Sequence, residues 1–578
     1  MSHNHNHNGN KIKFIESFVF NLLQSSIKRF IAIFIMFAIL ISSVFLVTTE
    51  LVKVKLLPQS LADNFTIYVD LPEGKSIYET KEVTSCILRH LKDEEIITDM
   101  SVFYGESIPV DFSAMIKGRL FDSGENIANI LVNLKKEEDR DENSIFAVNR
   151  LRPIIQNNCK MHNVKIKMIE SPAGPPVEAS IVLEITSDIN HKDLESFAYG
   201  VKNIFLNTPN VADIDIRGDE SYTTFGIVLN ENKIIQSNIQ LDQVKKILYI
   251  AFEGMDIAFS NDANSQNQLS IHLVLNDKTK TFSGNTKEDI LSKLSALKLM
   301  NAQGMQMPLS ELVNIQEQTN EHKIVSKNLS PVVSILAQTD MESQLYPLLN
   351  IRTKIIEQYS DTYEVEEVTM FDLKLTNKTT QEVFNLHWDG EMKLSIDTIV
   401  DLSIALGVAI LFIYFMMVVY YKNFSIAGAI VLASFISVAG VIYAHWIFDM
   451  FTPSTFYLTG TSLIGFIALI GINSRNSLLI VDFIQQLIEE KHLSVERAIS
   501  VSVQTRAKPI LLTVLAIIFA SMLLATDPVF GGLGVALIGG TLAAYFVSLF
   551  IVPIMILKSM KKIYRIVDKD NIIQQKEI

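Results

Sequence analysis

The chain has 578 residues, 48% of them hydrophobic, and a mean hydropathy of +0.26, too long for one compact core and too apolar for an ordinary soluble enzyme. Its formal charge is −13, from 63 acidic against 50 basic residues, so no overall positive field draws it to nucleic acid. Two cysteines, Cys86 and Cys159, exclude a disulfide-dense scaffold and a cysteine-built zinc site.

His3, His5 and His7 alternate with Asn in a polar tail and read as solvated, since no further ligand accompanies them. The apolar run Phe30 to Val47 is long enough to cross a bilayer, where about 20 residues at ~1.5 Å each match the hydrocarbon core. Lys28 and Arg29 precede it, which places the amino terminus on the cytoplasmic side. The run lacks a small-residue cleavage site and reads as an anchor, so the chain after it is expected outside.

From Leu51 to Lys393 no stretch is apolar enough to span. Strand-like segments at Phe65 to Asp70, Ile97 to Phe103, Ile130 to Leu134 and Val164 to Ile169 alternate with helix-like segments at Ile77 to Leu91 and Ser144 to Gln156, in the order βαββαβ. The same order restarts at Ala179 to Ile185, His191 to Leu206 and Val211 to Ile216, and finishes at Val332 to Ala337, Leu348 to Gln358 and Tyr363 to Val368. An insertion from Tyr222 to about Glu317 splits this second copy. Cys86 and Cys159 both fall outside the cytoplasm, where a bridge is permitted; two buried thiols are the preferred reading.

Five further apolar runs follow, near Val400 to Tyr420, Ile426 to Ile447, Ser462 to Phe483, Pro509 to Ala525 and Leu533 to Leu557. Six spans return the carboxy terminus to the cytoplasm, where Lys558, Lys561, Lys562 and Arg565 fit the positive-inside rule. The fold class is thus an α-helical membrane protein with an α+β extracytoplasmic domain.

The topology and several ordered stretches resemble the carboxy-terminal half of a resistance-nodulation-division (RND) efflux pump of the acriflavine-resistance type. These are KVKLLPQSLADNFTIYVDLPEGKSIYET at Lys53 to Thr80, with its Leu71-Pro72-Glu73-Gly74 turn, AGPPV at Ala173 to Val177, MPLSELVNI at Met307 to Ile315, HKIVSKNLSPVVSILA at His322 to Ala337 and HWDGEM at His387 to Met392. TSLIGFIALIGINSRNSLLIVDFI, Thr461 to Ile484, is similar to the tenth span of these pumps, and Arg506 to Met555 to spans eleven and twelve. The resemblance covers Phe14 to Ile563.

It implies the following plan: 1–29 a cytoplasmic tail and interfacial helix, 30–48 the first span, 51–170 a ferredoxin-like porter subdomain, 171–221 with 306–393 a second one, 222–305 a docking-type insertion, 398–557 a five-helix bundle and 558–578 a cytoplasmic tail. It implies a trimeric assembly in the cell inner membrane with a periplasmic adaptor and an outer-membrane channel, no cofactor, and no catalysis on a covalent bond. A full pump has a first half whose fourth span carries an acidic pair, so a first-half permease chain is an expected partner. A six-span accessory protein for polypeptide export, or a non-transporting remnant of a split gene, are the alternatives.

Arg475 lies inside a span, where a charge costs roughly 2.5–3.5 kcal/mol; the resemblance assigns it to face the acidic pair. Asp482 lies seven residues on, about 10 Å along the same face, and is expected to approach the cytoplasmic interface and Arg506. Arg506 and Thr513 reproduce the family spacing for a basic residue and a hydroxyl beside the proton relay; Thr513 alternatively bonds its own helix. Asp401 is read as interfacial, and Gly531, Gly532, Gly534, Gly539 and Gly540 as close helix packing. A reporter fused after Ser171 should read as extracytoplasmic and one after Ile563 as cytoplasmic; the opposite result at either position rules the topology out.

Overall fold

The computed structural model describes residues 13–55, 62–109, 115, 117, 119, 123–136, 139–170, 177–217, 222–261, 267–281, 286–320, 324–339, 343–452 and 455–574. His3, His5, His7, Ser171 and Ala173 to Pro176 lie outside them. The described residues fall in two compact units, one drawn from 1–60, 342–348 and 391–578, the other from 61–341 and 349–390.

The first unit contains six helical stretches long and apolar enough to cross a membrane. The described residues begin with α1 (Lys13–Gln24), whose Val19, Leu22 and Leu23 are buried while Phe14 and Phe18 face outward. Glu16 pairs with Arg497 at 3.2 Å. Next comes α2 (Ser26–Thr48), capped by the Ser25 side chain. The other spans are α12 (Glu391–Tyr421), α13 (Phe424–Ile436) with α14 (Val438–Asp449), α15 (Gly460–Lys491), α16 (Val495–Ala525), and α17 (Gly531–Phe546) running through a π-helical turn, Val547–Ile551, into α18 (Val552–Gln574). The helices extend beyond the apolar runs that mark them: α12 begins at Glu391 rather than Val400, and α16 passes through Pro509 instead of starting there.

Close packing is set by small residues where α14 meets α17. A Cβ added at Gly440 would sit 2.6 Å from the Gly539 carbonyl oxygen, so only a hydrogen lets the two backbones meet there.

In the second unit, β1 (Asn64–Asp70), α3 (Ile77–Leu91), β2 (Ile97–Glu106), β3 (Ser123–Leu134), α4 (Ser144–Asn158) and β4 (Lys165–Glu170) form an antiparallel sheet ordered β2-β3-β1-β4. Alternation directs Phe65, Ile67 and Val69 of β1 into a core shared with Ile87, Leu91, Leu151 and Ile155 of the two helices. A capping box starts α3: Ser76 accepts from the Glu79 amide while Glu79 accepts from the Ser76 amide. Contrary to the two-thiol expectation, Cys86 and Cys159 are joined as a disulfide between α3 and the end of α4, with Cα atoms 5.7 Å apart.

The second sheet uses β5 (Ile181–Thr186), α5 (His191–Leu206), β6 (Val211–Ile216), β13 (Ser326–Lys327), β14 (Ser330–Thr339), α11 (Leu345–Tyr359), β15 (Tyr363–Glu367), β16 (Leu373–Asn377) and β17 (Val383–Asp389). It is larger than the sequence suggests. β5 lies between β14 and β17, and the expected last strand, near Tyr363 to Val368, lies at the far edge of a β15-β16-β17 meander. HWDGEM is explained by this: the Trp388 indole is buried and donates to the Phe371 carbonyl at 3.1 Å, and His387 pairs with Asp372 at 3.0 Å.

The insertion has its own core around Ile234, Val244, Leu294 and Leu312. It contains helices α6 (Glu231–Gln236), α7 (Leu241–Phe252), α8 (Asp277–Lys280), α9 (Lys287–Ala296) and α10 (Leu309–Leu312), with strands β8 (Met255–Ser260), β9 (Leu269–Leu273), β10 (Lys298–Met300) and β11 (Gln306–Pro308). It closes where β7 (Tyr222–Leu229) pairs antiparallel with β12 (Val313–Asn320), so its end lies beyond residue 305.

The edges of the two sheets meet through charge rather than a backbone ladder. Asp213, at a left-handed φ of 52°, accepts from the Met168 amide at 3.1 Å and from Gln156 at 2.8 Å, taking the place a neighbouring strand would occupy. Lys167 bridges Asp70 at 3.2 Å and Asp215 at 2.6 Å, Lys165 reaches Asp215 at 3.1 Å, and Arg119 forks onto Asp70. Burial alone raises the Asp70 carboxyl, but Arg119 and Lys167 overturn that and hold it well below the usual range. Burial likewise acts to raise Asp215, and Lys167 and Lys165 bring it down. For Asp213 burial wins and the carboxyl is raised, with Arg152 offsetting only part.

The signs follow by linkage. Depressed carboxyls contribute stability present above their unfolded value, 3.8 for Asp, and lost as pH falls through the folded value, whereas the raised Asp213 carries a cost at neutral pH that acidification relieves. The Asp70 and Asp215 contributions therefore hold at neutral pH and fade only below about pH 4. Lys167→Ala should cost on the order of 3 kcal/mol near neutral pH by leaving buried carboxylates short of a cation; denaturant melting indistinguishable from wild type would remove this clamp. For the disulfide, non-reducing digestion should release the Cys86 and Cys159 peptides joined. A Cys86→Ser, Cys159→Ser double variant should lose up to about 4 kcal/mol, the chain-entropy value for their 73-residue separation; separate peptides from oxidised protein would exclude the bridge.

Candidate functional site

The polar residues of the membrane unit collect on α15, whose two faces differ. Arg475 faces outward from the bundle and, among the described residues, makes no hydrogen bond or ion pair. Gly471 and Leu479, one turn to either side, are also exposed, so the guanidinium stands on an open stripe. One cation in hydrocarbon needs a partner or water.

Asp482 continues that stripe. Its two carboxylate oxygens accept from the hydroxyls of Tyr421 and Tyr420 at the end of α12, each at 3.1 Å. The expected approach to Arg506 is not found: among the described residues no ion pair joins the two. Instead the Arg506 guanidinium lies over the Phe483 ring, 4.8 Å from its centre, with its Nε buried and unpartnered among the described residues. Thr513 faces outward and donates to the Ile510 carbonyl of its own helix at 2.7 Å. The structure thus brings Arg475 and Asp482 to one face, ties Arg506 to α15 through an aromatic ring, and leaves Thr513 bonded within its turn. Asp401 is exposed on α12.

Several buried polar residues escape the sequence reading. On the bundle-facing side of α15, Asn473 donates to Ser434 at 3.1 Å and accepts from Ser548 at 2.8 Å, joining α13, α15 and the π-helical turn. The wider turn sets Ser548 within reach. Toward the other end, fully buried His445 sits between the Val441 carbonyl, 2.8 Å from Nδ1, and Ser462 Oγ, 2.9 Å from Nε2. A carbonyl only accepts, so Nδ1 carries the proton. Ser474 Oγ, Asn476 Nδ2 and Ser477 Oγ are buried without a partner among the described residues, which calls for water or a further chain segment beside them. The available signal is an isolated His, Asn or pair of Ser inside an otherwise apolar run.

His90 lies beside the cysteines, with Nδ1 3.8 Å from Cys159 Sγ, but the two sulfurs are bonded to each other and offer no thiolate to a metal.

Six helical stretches long and apolar enough to cross a membrane, in a chain that also carries a large α+β unit, define a multi-pass membrane protein. Residues 6–558 match the AcrB/AcrD/AcrF family, and the chain belongs to it. It is 23% identical over 443 residues to the multidrug resistance protein MdtC of Proteus mirabilis (strain HI4320), covering 75% of this chain and 39% of that one. It is 28% identical over 173 residues to the cobalt-zinc-cadmium resistance protein CzcA of Cupriavidus metallidurans, covering 29% and 16%. Among solved structures, the X-ray structure of a heavy metal efflux pump superposes with a TM-score of 0.65 at 14% identity, over 94% of this chain and 52% of that one, a likeness of fold. The chain spans less than half the length of the curated relatives it matches.

Proposed function

We propose that the chain is a half-size RND-type transporter subunit that acts in proton-driven efflux of amphiphilic small molecules together with a separately encoded first half. The observation that carries this reading is Arg475, a permanently charged group on an outward face of an apolar helix with no partner among the described residues. A first-half bundle seated on that face would bring carboxylates to it, and their protonation would release the pair.

The rest of the molecule is assigned accordingly. The two sheets act as porter subdomains on the periplasmic side of the inner membrane, with substrate passing between them. The insertion, with its separate core, serves as the docking subdomain toward a channel partner, and the assembly is trimeric with a periplasmic adaptor. The relatives' names divide between multidrug and metal-ion resistance, so the substrate class is open to direct competition.

In the native host, Arg475→Ala on the chromosome should abolish export of an amphiphilic dye while leaving the amount of chain in the membrane unchanged. Arg475→Lys should retain part of it, since charge is kept and the fork is lost. Undiminished dye export together with unchanged cobalt, zinc and cadmium tolerance in Arg475→Ala would overturn the reading, and loss of that tolerance without loss of dye export would reassign the substrate.

A further inference from the structure

We infer that Asp482 is the proton-exchange group at the cytoplasmic end of the bundle and that Tyr420 and Tyr421 are its positioning residues. This rests on the proton-driven reading above for its direction, but the site itself is read from geometry.

The two tyrosines are the last residues of α12, and Lys422 and Asn423 follow directly. Asp482 lies about two and a half turns before the end of α15 at Lys491. Both helix ends belong to the side where the positive-inside rule places the cytoplasm, so the carboxylate stands where the span meets water. The two phenols differ. Tyr420 is 58% exposed, whereas Tyr421 is 8% exposed and also lies 3.3 Å from the Leu478 carbonyl. One hydroxyl thus faces the outside of the bundle and the other its interior.

The chemistry of the donor set distinguishes this group from an ion pair. Among the described residues no cation pairs with Asp482; Arg475 is about 10 Å along the same helix, and Arg506 is turned to the Phe483 ring. A cation would hold the carboxylate ionised. A phenol, in contrast, donates to a carboxylate and accepts from a carboxylic acid, so both protonation states keep their hydrogen bonds after a rotation of the hydroxyl. The step is a plain proton transfer: Asp482 O–H gives its proton to water at the cytoplasmic face and becomes the carboxylate held by both phenols, and the reverse restores it. No other bond changes.

The test is acid-induced infrared difference spectroscopy on the purified chain in lipid nanodiscs, with dye export measured in the native host. Subtraction of the Asp482→Asn spectrum from that of wild type should leave a protonated-carboxyl component that belongs to Asp482, and this component should shift in frequency in Tyr421→Phe, which removes the hydroxyl that reaches both Asp482 and the Leu478 carbonyl. Asp482→Glu should keep a band. In the host, Asp482→Asn should lose export, and Tyr421→Phe should reduce turnover roughly tenfold or more with the half-saturating dye concentration unchanged, a split that a merely structural role would not produce. A wild-type spectrum identical to that of Asp482→Asn in the protonated-carboxyl region, or an Asp482 component indifferent to both Tyr→Phe changes, overturns the inference. If Arg475→Ala abolishes export and Asp482→Asn does not, this site fails while the transporter reading stands. If the band responds as expected but wild type exports nothing, the site stands and the transporter reading fails.

Discussion

Hydrocarbon supplies no hydrogen bonds, and the membrane unit is organised around that constraint. Its spans are built from helices, several serines and threonines bond back to their own helices, as Ser434 does to Ile430 and Thr541 to Leu537, and buried Asn473 is satisfied from two sides. Only then do the remaining groups acquire meaning. Arg475 stands out because every comparable polar group around it has been accommodated or buried, and Asp482 because its partners are neutral. The near contact of Gly440 with Gly539 belongs to the same logic, since close approach of α14 and α17 is what shuts lipid out of the interior.

In the soluble unit the corresponding problem is the free edge of a sheet. β4 ends one sheet and β6 lies at the margin of the other, and continuous pairing between them would fuse the two. The Asp213 carboxylate, at a left-handed residue within β6, accepts from the Met168 amide instead, and the charges around Lys167 fix the junction. Buried pairs of this kind are a weak source of net stability and a better source of a defined arrangement.

The spans, their order and the first βαββαβ run were legible because length, hydropathy and period are local properties. Arg475 was legible as a charge in an apolar run. What failed needed partners distant in sequence. The pairing of Cys86 with Cys159 depends on α3 lying beside the end of α4. The role of Val383–Asp389 as a strand next to β5 depends on a sheet that also recruits Leu373–Asn377; both segments alternate apolar and polar residues, but which strand each pairs with is not a local property. Asp482 was placed beside Arg506 from helix ends alone, whereas the tyrosines that hold it come from α12, sixty residues away. Asn473 carries a signal as a polar residue in an apolar run, but its partners Ser434 and Ser548 lie on other helices, so the triad is legible only in the folded bundle.

The ladder of β7 with β12 pairs Tyr222 with Asn320, so the two ends of the insertion leave the host sheet side by side. A segment attached by adjacent strands behaves as a cassette. Its removal and closure by a short hairpin turn asks nothing of β6 or β14, and a foreign domain with neighbouring termini can be received at the same point without altering their register. Change within this segment is thereby separated from the sheets that carry it.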